Sequence, residues 1–164
     1  MIQQATHRYG PDSANRLDAA TAHGAEGARA ALQTFYYALN SRDGAALAEV
    51  WADDPLVQLN NPVGGILRGR DAVAALYDKI FHGPIRVQVT FSDIVEYLDD
   101  SHAVFAGAET GSYTTPEGTA VPLRIRTSRY FRFTAAGWRQ YHHHGSIDDP
   151  EALRAYQHAV RGGA

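Results

Sequence analysis

From Ile85 to Ile147 the chain runs through four stretches of alternating apolar and polar residues, each ended by a short turn sequence. The stretches are Ile85 to Leu98, Ala103 to Thr114, Ala120 to Phe133 and Trp138 to Ile147. Between them stand Asp99-Asp100, Pro116-Glu117-Gly118 and Ala135-Ala136-Gly137. Alternation with period two marks strands that bury one face. Turns this short join antiparallel neighbours, so the second half of the chain reads as a four-stranded meander.

The first half reads as helices. Ala28, Ala31, Leu32, Phe35, Tyr36 and Leu39 recur at helical spacing within Glu26 to Asn40, and a shorter helix covers Ala45 to Trp51 before Asp53-Asp54-Pro55 stops it. Leu56 to Asn60 is a short strand, followed by a turn at Asn61-Pro62-Val63-Gly64-Gly65. A third helix opens at Arg70-Asp71 with Asp71 as its cap, buries Val73, Leu76, Tyr77 and Ile80, and ends at Gly83-Pro84. A last helix covers Asp149 to Val160, with Asp148 or Asp149 as cap and Pro150 at its first position. Residues 1–24 are polar, alanine-rich and broken by Gly10-Pro11 and Gly24, which reads as a tail or loosely docked arm. The domain expected is 25–148, with a C-terminal helix and tail over 149–164. Its architecture is α+β: three helices from the first half on one face of a strongly bent antiparallel sheet, forming a cone with an open end.

Composition narrows the function. At 164 residues one domain with a single core is expected. A net charge of −3 and a single lysine, Lys79, argue against a nucleic-acid or membrane-surface partner. With no cysteine there are no disulfides, thiolate metal ligands or thiol nucleophiles. No apolar stretch reaches membrane-spanning length, and a cytoplasmic protein is expected. No dinucleotide fingerprint, P-loop, zinc spacing or nucleophile elbow occurs, so neither cofactor nor metal is expected.

The chemistry gathers on the last two strands. If alternation in Trp138 to Ser146 is continuous, Trp138, Gln140, His142, His144 and Ser146 share one face, and Arg139, Tyr141 and His143 share the other. The preceding strand turns Ile125, Thr127, Arg129 and Phe131 to its apolar face. Arg129 is then a buried cation in need of an anion. Glu109 is its natural internal partner, either as a purely structural pair or as part of an anion site.

Two stretches carry a family resemblance. Leu56 to Gly64 followed by Arg68-Gly69-Arg70-Asp71-Ala72-Val73 resembles the strand, turn and "G-R-x-A-I" helix start of the nuclear transport factor 2-like superfamily, in the neighbourhood of SnoaL-like proteins and ketosteroid isomerase homologues. Ser128-Arg129-Tyr130-Phe131, with Gly137-Trp138 through Ser146, is similar to the "TRVW…KW…VHFHRS" stretch of the association domain of calcium/calmodulin-dependent kinase. The resemblance implies a cone-like, cystatin-type roll that hosts isomerases, cyclases, dehydratases, hydrolases and non-enzymatic binding modules. It also implies dimerisation through the convex face of the sheet.

Residue by residue, the isomerase chemistry is not retained. Asn61 stands where the isomerase has its catalytic aspartate, Phe35, beside Tyr36 and Tyr37, where it has its oxyanion tyrosine, and Arg129 where it has its protonated aspartic acid. Gln140 aligns with the catalytic aspartate of limonene epoxide hydrolase, which disfavours that activity, and Glu109 matches its second carboxylate. Arg129 matches the kinase-domain arginine that helps bind small carboxylates.

The expected site therefore has His142, His144 and Glu109 as proton-handling residues. Arg129, Asn61, Gln140, Tyr36 and Trp51 hold a small anionic or carbonyl-bearing substrate. A non-catalytic ligand-binding or oligomerisation module stands beside the enzyme reading.

Overall fold

The computed structural model describes Met1 to Gly162. Seven strands form one curved, unclosed sheet in the order β1-β4-β5-β6-β7-β2-β3. The meander is β4 (Arg86–Leu98), β5 (His102–Thr114), β6 (Ala120–Thr134) and β7 (Gly137–Ser146), antiparallel throughout. On one side β2 (Gln58–Asn60) lies parallel to β7 and turns back into β3 (Ile66–Arg68). On the other, β1 (Ile2–Gln4) covers the edge of β4.

Three helices fill the concave face. α1 (Ala25–Ser41) packs on β4, β6 and β7, and Leu32, Phe35 and Tyr36 on its inner stripe are fully buried. It stops where Arg42 takes a left-handed conformation, φ 61°. α2 (Gly44–Val50) starts on Asp43, whose carboxylate accepts from the Ala46 N–H at 2.9 Å. α3 (Arg70–Phe81) is capped by Gly69, not by Asp71. Gly69 sits at φ 84° and donates its N–H to Val57, which turns the chain out of β3 and starts the helix at Arg70. Asp71 lies within the first turn, where its charge favours the helix dipole. α4 (Pro150–Val160) is capped by Asp149, which accepts from Glu151 and Ala152 N–H at 2.8 Å. No helix among the described residues is long and apolar enough to cross a membrane.

The first residues behave differently from a loosely docked arm. β1 pairs with Val95, Glu96 and Tyr97, and Tyr9 exchanges both backbone hydrogen bonds with Phe91. The Tyr9 ring is buried and stacks on Tyr36. Holding this arm is Glu96, a fully buried carboxylate that accepts from Gln3 Nε2 (2.9 Å) and from Arg29 Nε and Nη2 (3.0 and 2.7 Å). Burial alone would raise the Glu96 pKa, but the hydrogen bonds from Arg29 and Gln3 win and hold it below the usual carboxylate value. These anchors join residues more than sixty positions apart, so no local periodicity records them.

Two bulges bend the sheet. In β4 the register slips between Ser92 and Val95, with Asp93 at φ 53°. Gly107 faces that bulge, and a Cβ there would come within 2.6 Å of the Ser92 carbonyl oxygen. The second bulge lies between β6 and β7. Tyr130 is opposite His142 and Phe131 opposite Gln140, leaving Tyr141 as the extra residue.

Candidate functional site

The Tyr141 bulge decides which imidazole faces inward. Trp138 and Gln140 are buried on the concave side, the count is reset by Tyr141, and the next inward residues are His143 and Gly145. Side-chain parity flips with one inserted residue. His142 and His144, expected in the cavity, instead lie on the outer face in an open groove with Ala106, Gly107, Ser128 and Arg126. His143, expected outside, is 3% exposed and faces inward. Sequence reasoning missed it because nothing marks Tyr141 as a bulge. The only clue is that Trp138 and Gly145 both face inward although an odd number of positions separates them, and this shows only in three dimensions.

A cavity lined by residues of the helices and of the sheet has a volume of about 50 Å³. Its wall is mostly aliphatic, with Leu39, Leu59, Leu76, Ile80, Val87, Val89 and Ile125. Polar groups enter it from Asn61, Glu109, Arg129 and His143. Pro62 belongs to the same wall, and a Cβ on Gly145 would meet its ring at 2.5 Å, so glycine there lets the turn close over β7. α4 completes the mouth: Tyr156 lines the cavity against Tyr113, and Gln157 Nε2 donates to the Val63 carbonyl at 2.9 Å.

Beneath the cavity lies a buried polar cluster. Arg129 Nη2 donates to Glu109 Oε1 at 2.8 Å, and the two side chains are almost wholly out of solvent. Tyr36 Oη donates to the same oxygen at 2.7 Å and accepts from Arg129 Nε at 2.9 Å. Arg129 Nη1 makes a long bond, 3.4 Å, to Gln140 Oε1. The guanidinium carbon sits 3.5 Å from the centre of the Phe35 ring, a cation–π contact inside the core. Burial by itself pulls the Arg129 pKa down, but the oxygens of Tyr36 and Glu109 more than reverse it, and the residue stays a cation. Burial pushes the Tyr36 phenol well above its ordinary value, and that of Tyr77 up to about 12.

Both hydrogen bonds to Glu109 fall on Oε1, so Oε2 has none among the described residues, and the residue lines the cavity. His143 has neither ring nitrogen hydrogen-bonded among the described residues. Burial, and then the charge of Arg129, hold its pKa well below that of an ordinary histidine, so it is a neutral imidazole with one donor and one acceptor to offer. Asn61 lines the cavity while its Oδ1 accepts from Val63 N–H at 3.2 Å, so it serves the turn as well.

The structure thus brings Arg129, Glu109 and Asn61 to one cavity, with Tyr36 and Gln140 packed behind it as partners of Arg129. Trp51 is buried away from it, bridged to Gln140, with its edge on a separate groove near Arg139 and Arg70. Among the described residues no three histidine, aspartate or glutamate side chains come together as a metal site.

Residues 28–150 match the SnoaL-like domain family. No curated protein matches the chain. A solved structure from Thiobacillus denitrificans, described as a calcium/calmodulin-dependent protein kinase type II association domain, is 32% identical over 74% of this chain and 94% of its own, with a TM-score of 0.60. A structure from Streptomyces avermitilis, described as a dehydratase of the nuclear transport factor 2-like family, is 25% identical over 71% of this chain and 90% of its own, TM-score 0.64. A ketosteroid isomerase-like protein from Erwinia carotovora shares the fold at 21% identity, covering 75% and 95%, TM-score 0.63. With three quarters of its length matched and the curved, helix-filled sheet in place, the chain belongs to the SnoaL-like family of the nuclear transport factor 2-like superfamily.

Proposed function

We propose that this protein binds a small carbonyl compound in the cavity and moves a proton on it, as a cofactor-independent isomerase, cyclase or dehydratase does. The observation that supports this is the meeting of a carboxylate oxygen without a hydrogen bond, Glu109 Oε2, and an unpartnered neutral imidazole, His143, in residues that line one cavity. Glu109 takes a proton from the carbon beside the carbonyl, and the C–H electron pair moves to the carbonyl oxygen. An N–H of His143 or Asn61 holds that oxygen while it is negative. Glu109, now a carboxylic acid, returns the proton to a second carbon or to a departing hydroxyl. The likeness to a structure described as a dehydratase favours this reading.

The test is proton exchange in deuterated water. Carbonyl compounds that bind should gain deuterium beside the carbonyl, and Glu109→Gln should slow the exchange by about 10²-fold or more. Exchange at the buffer rate with a bound compound would leave a non-catalytic ligand-binding module. That second reading is favoured by the hold of Arg129 on Glu109 Oε1 and by the likeness to a structure described as an association domain.

The same reading pairs two copies through the outer face of the sheet, in the cytoplasm. Tyr130, Tyr141 and Arg132 are grouped there, with Arg132 over the Tyr141 ring at 5.3 Å. Light scattering should read twice the 17.9 kDa of one chain, and a single-chain mass would remove the pairing.

A further inference from the structure

Arginine in a cavity invites an anion, yet here the anion is already built in. We propose that the cavity selects an uncharged ligand, one that offers a hydrogen-bond donor to Glu109, and rejects a carboxylate of the same shape. The proposal rests on the reading of the cavity as a ligand site and names the charge class of what it takes.

The charges that line the cavity are Arg129 and Glu109, and they cancel across a 2.8 Å contact. Arg129 is further engaged by Tyr36, Gln140 and the face of Phe35. Little of the guanidinium is left to meet a ligand. Glu109, by contrast, lines the cavity with Oε2 free of any hydrogen bond among the described residues, so the charged atom left to meet an incoming molecule is negative. His143 adds no positive charge, since burial and the neighbouring Arg129 keep it neutral. Asn61, Tyr77 and Tyr156 complete the polar lining without charge. A carboxylate would lose its hydration among aliphatic side chains and face Glu109 at short range. An amide, alcohol or hydroxyketone donates to Oε2 and accepts from the imidazole at no such penalty.

Acetamide and acetate have nearly the same shape, are small enough for a cavity of about 50 Å³, and differ by one charge. Titration of the full chain at neutral pH, followed by NMR, should show acetamide binding at least about tenfold more tightly, because like-charge contacts of this kind are strongly unfavourable. In Glu109→Gln, Arg129 loses its counter-ion and the preference should reverse toward acetate. Wild-type protein that binds acetate as tightly as acetamide, or more tightly, overturns the charge selection and leaves the ligand site standing. Binding of neither overturns the ligand site and the inference together. Should the variant not fold, the wild-type pair decides the matter alone.

Discussion

Arg129→Met should lower the stability of the folded protein by about 3–5 kcal/mol, because it strands a buried carboxylate. Glu109 is 3% exposed, and without the guanidinium only the Tyr36 hydroxyl remains on it. The loss should be seen as a fall in the urea midpoint at neutral pH with unchanged slope. Combining Arg129→Met with Glu109→Leu should recover most of the loss, since replacing both members of a buried ion pair by apolar groups is often near neutral. A single variant as stable as the parent would mean that Glu109 is not held as an anion by Arg129. The proton-transfer reading and the charge selection would then lose their common base.

The second large effect is a dependence of stability on pH that comes from His143. Its folded pKa lies well below the ordinary value of 6.5. Above that value both folded and unfolded chains leave it neutral and its contribution is constant. As the pH falls below 6.5 the unfolded chain takes up a proton that the folded chain refuses, so stability drops by up to about 1.4 kcal/mol per pH unit until the folded pKa is reached. Urea midpoints measured between pH 7 and pH 5 should show this slope, and His143→Leu should flatten it. The substitution should also do little harm at pH 7, because it removes two buried nitrogens that lack partners. His142, half-buried on the outer face with a pKa lowered first by burial, adds a lesser slope that the variant retains. An unaltered slope in His143→Leu would place the imidazole in contact with water, outside the cavity.

Most of the framework was legible in the chain, and the reasons are local. Alternation from Ile85 onward reports burial on one face of a strand, and β4 to β7 begin and end within a residue or so of where the alternation and turn sequences put them. Helical spacing of Ala28, Leu32, Phe35 and Leu39 reports a helix lying on that face, and α1 follows. On β6 the set Ile125, Thr127, Arg129 and Phe131 is buried without interruption, as the alternation of that strand alone predicts, and Glu109 is buried on the neighbouring strand. β1 and β3 were not legible as strands. Both are three-residue segments whose pairing partners, β4 and β2, supply the reason for their shape.

The sequence by itself determined the curved meander, the helices that fill it and the inward direction of Arg129, because each follows from a repeat within one segment. Only the tertiary structure decided which histidine reaches the cavity, since one unpaired residue at Tyr141 reverses every side chain beyond it and depends on how β7 fits β6, not on β7 alone. It also decided that the first residues close the sheet edge and that Tyr156 closes the cavity mouth. Those contacts join segments far apart in the chain, and their energy exists only once the sheet has bent.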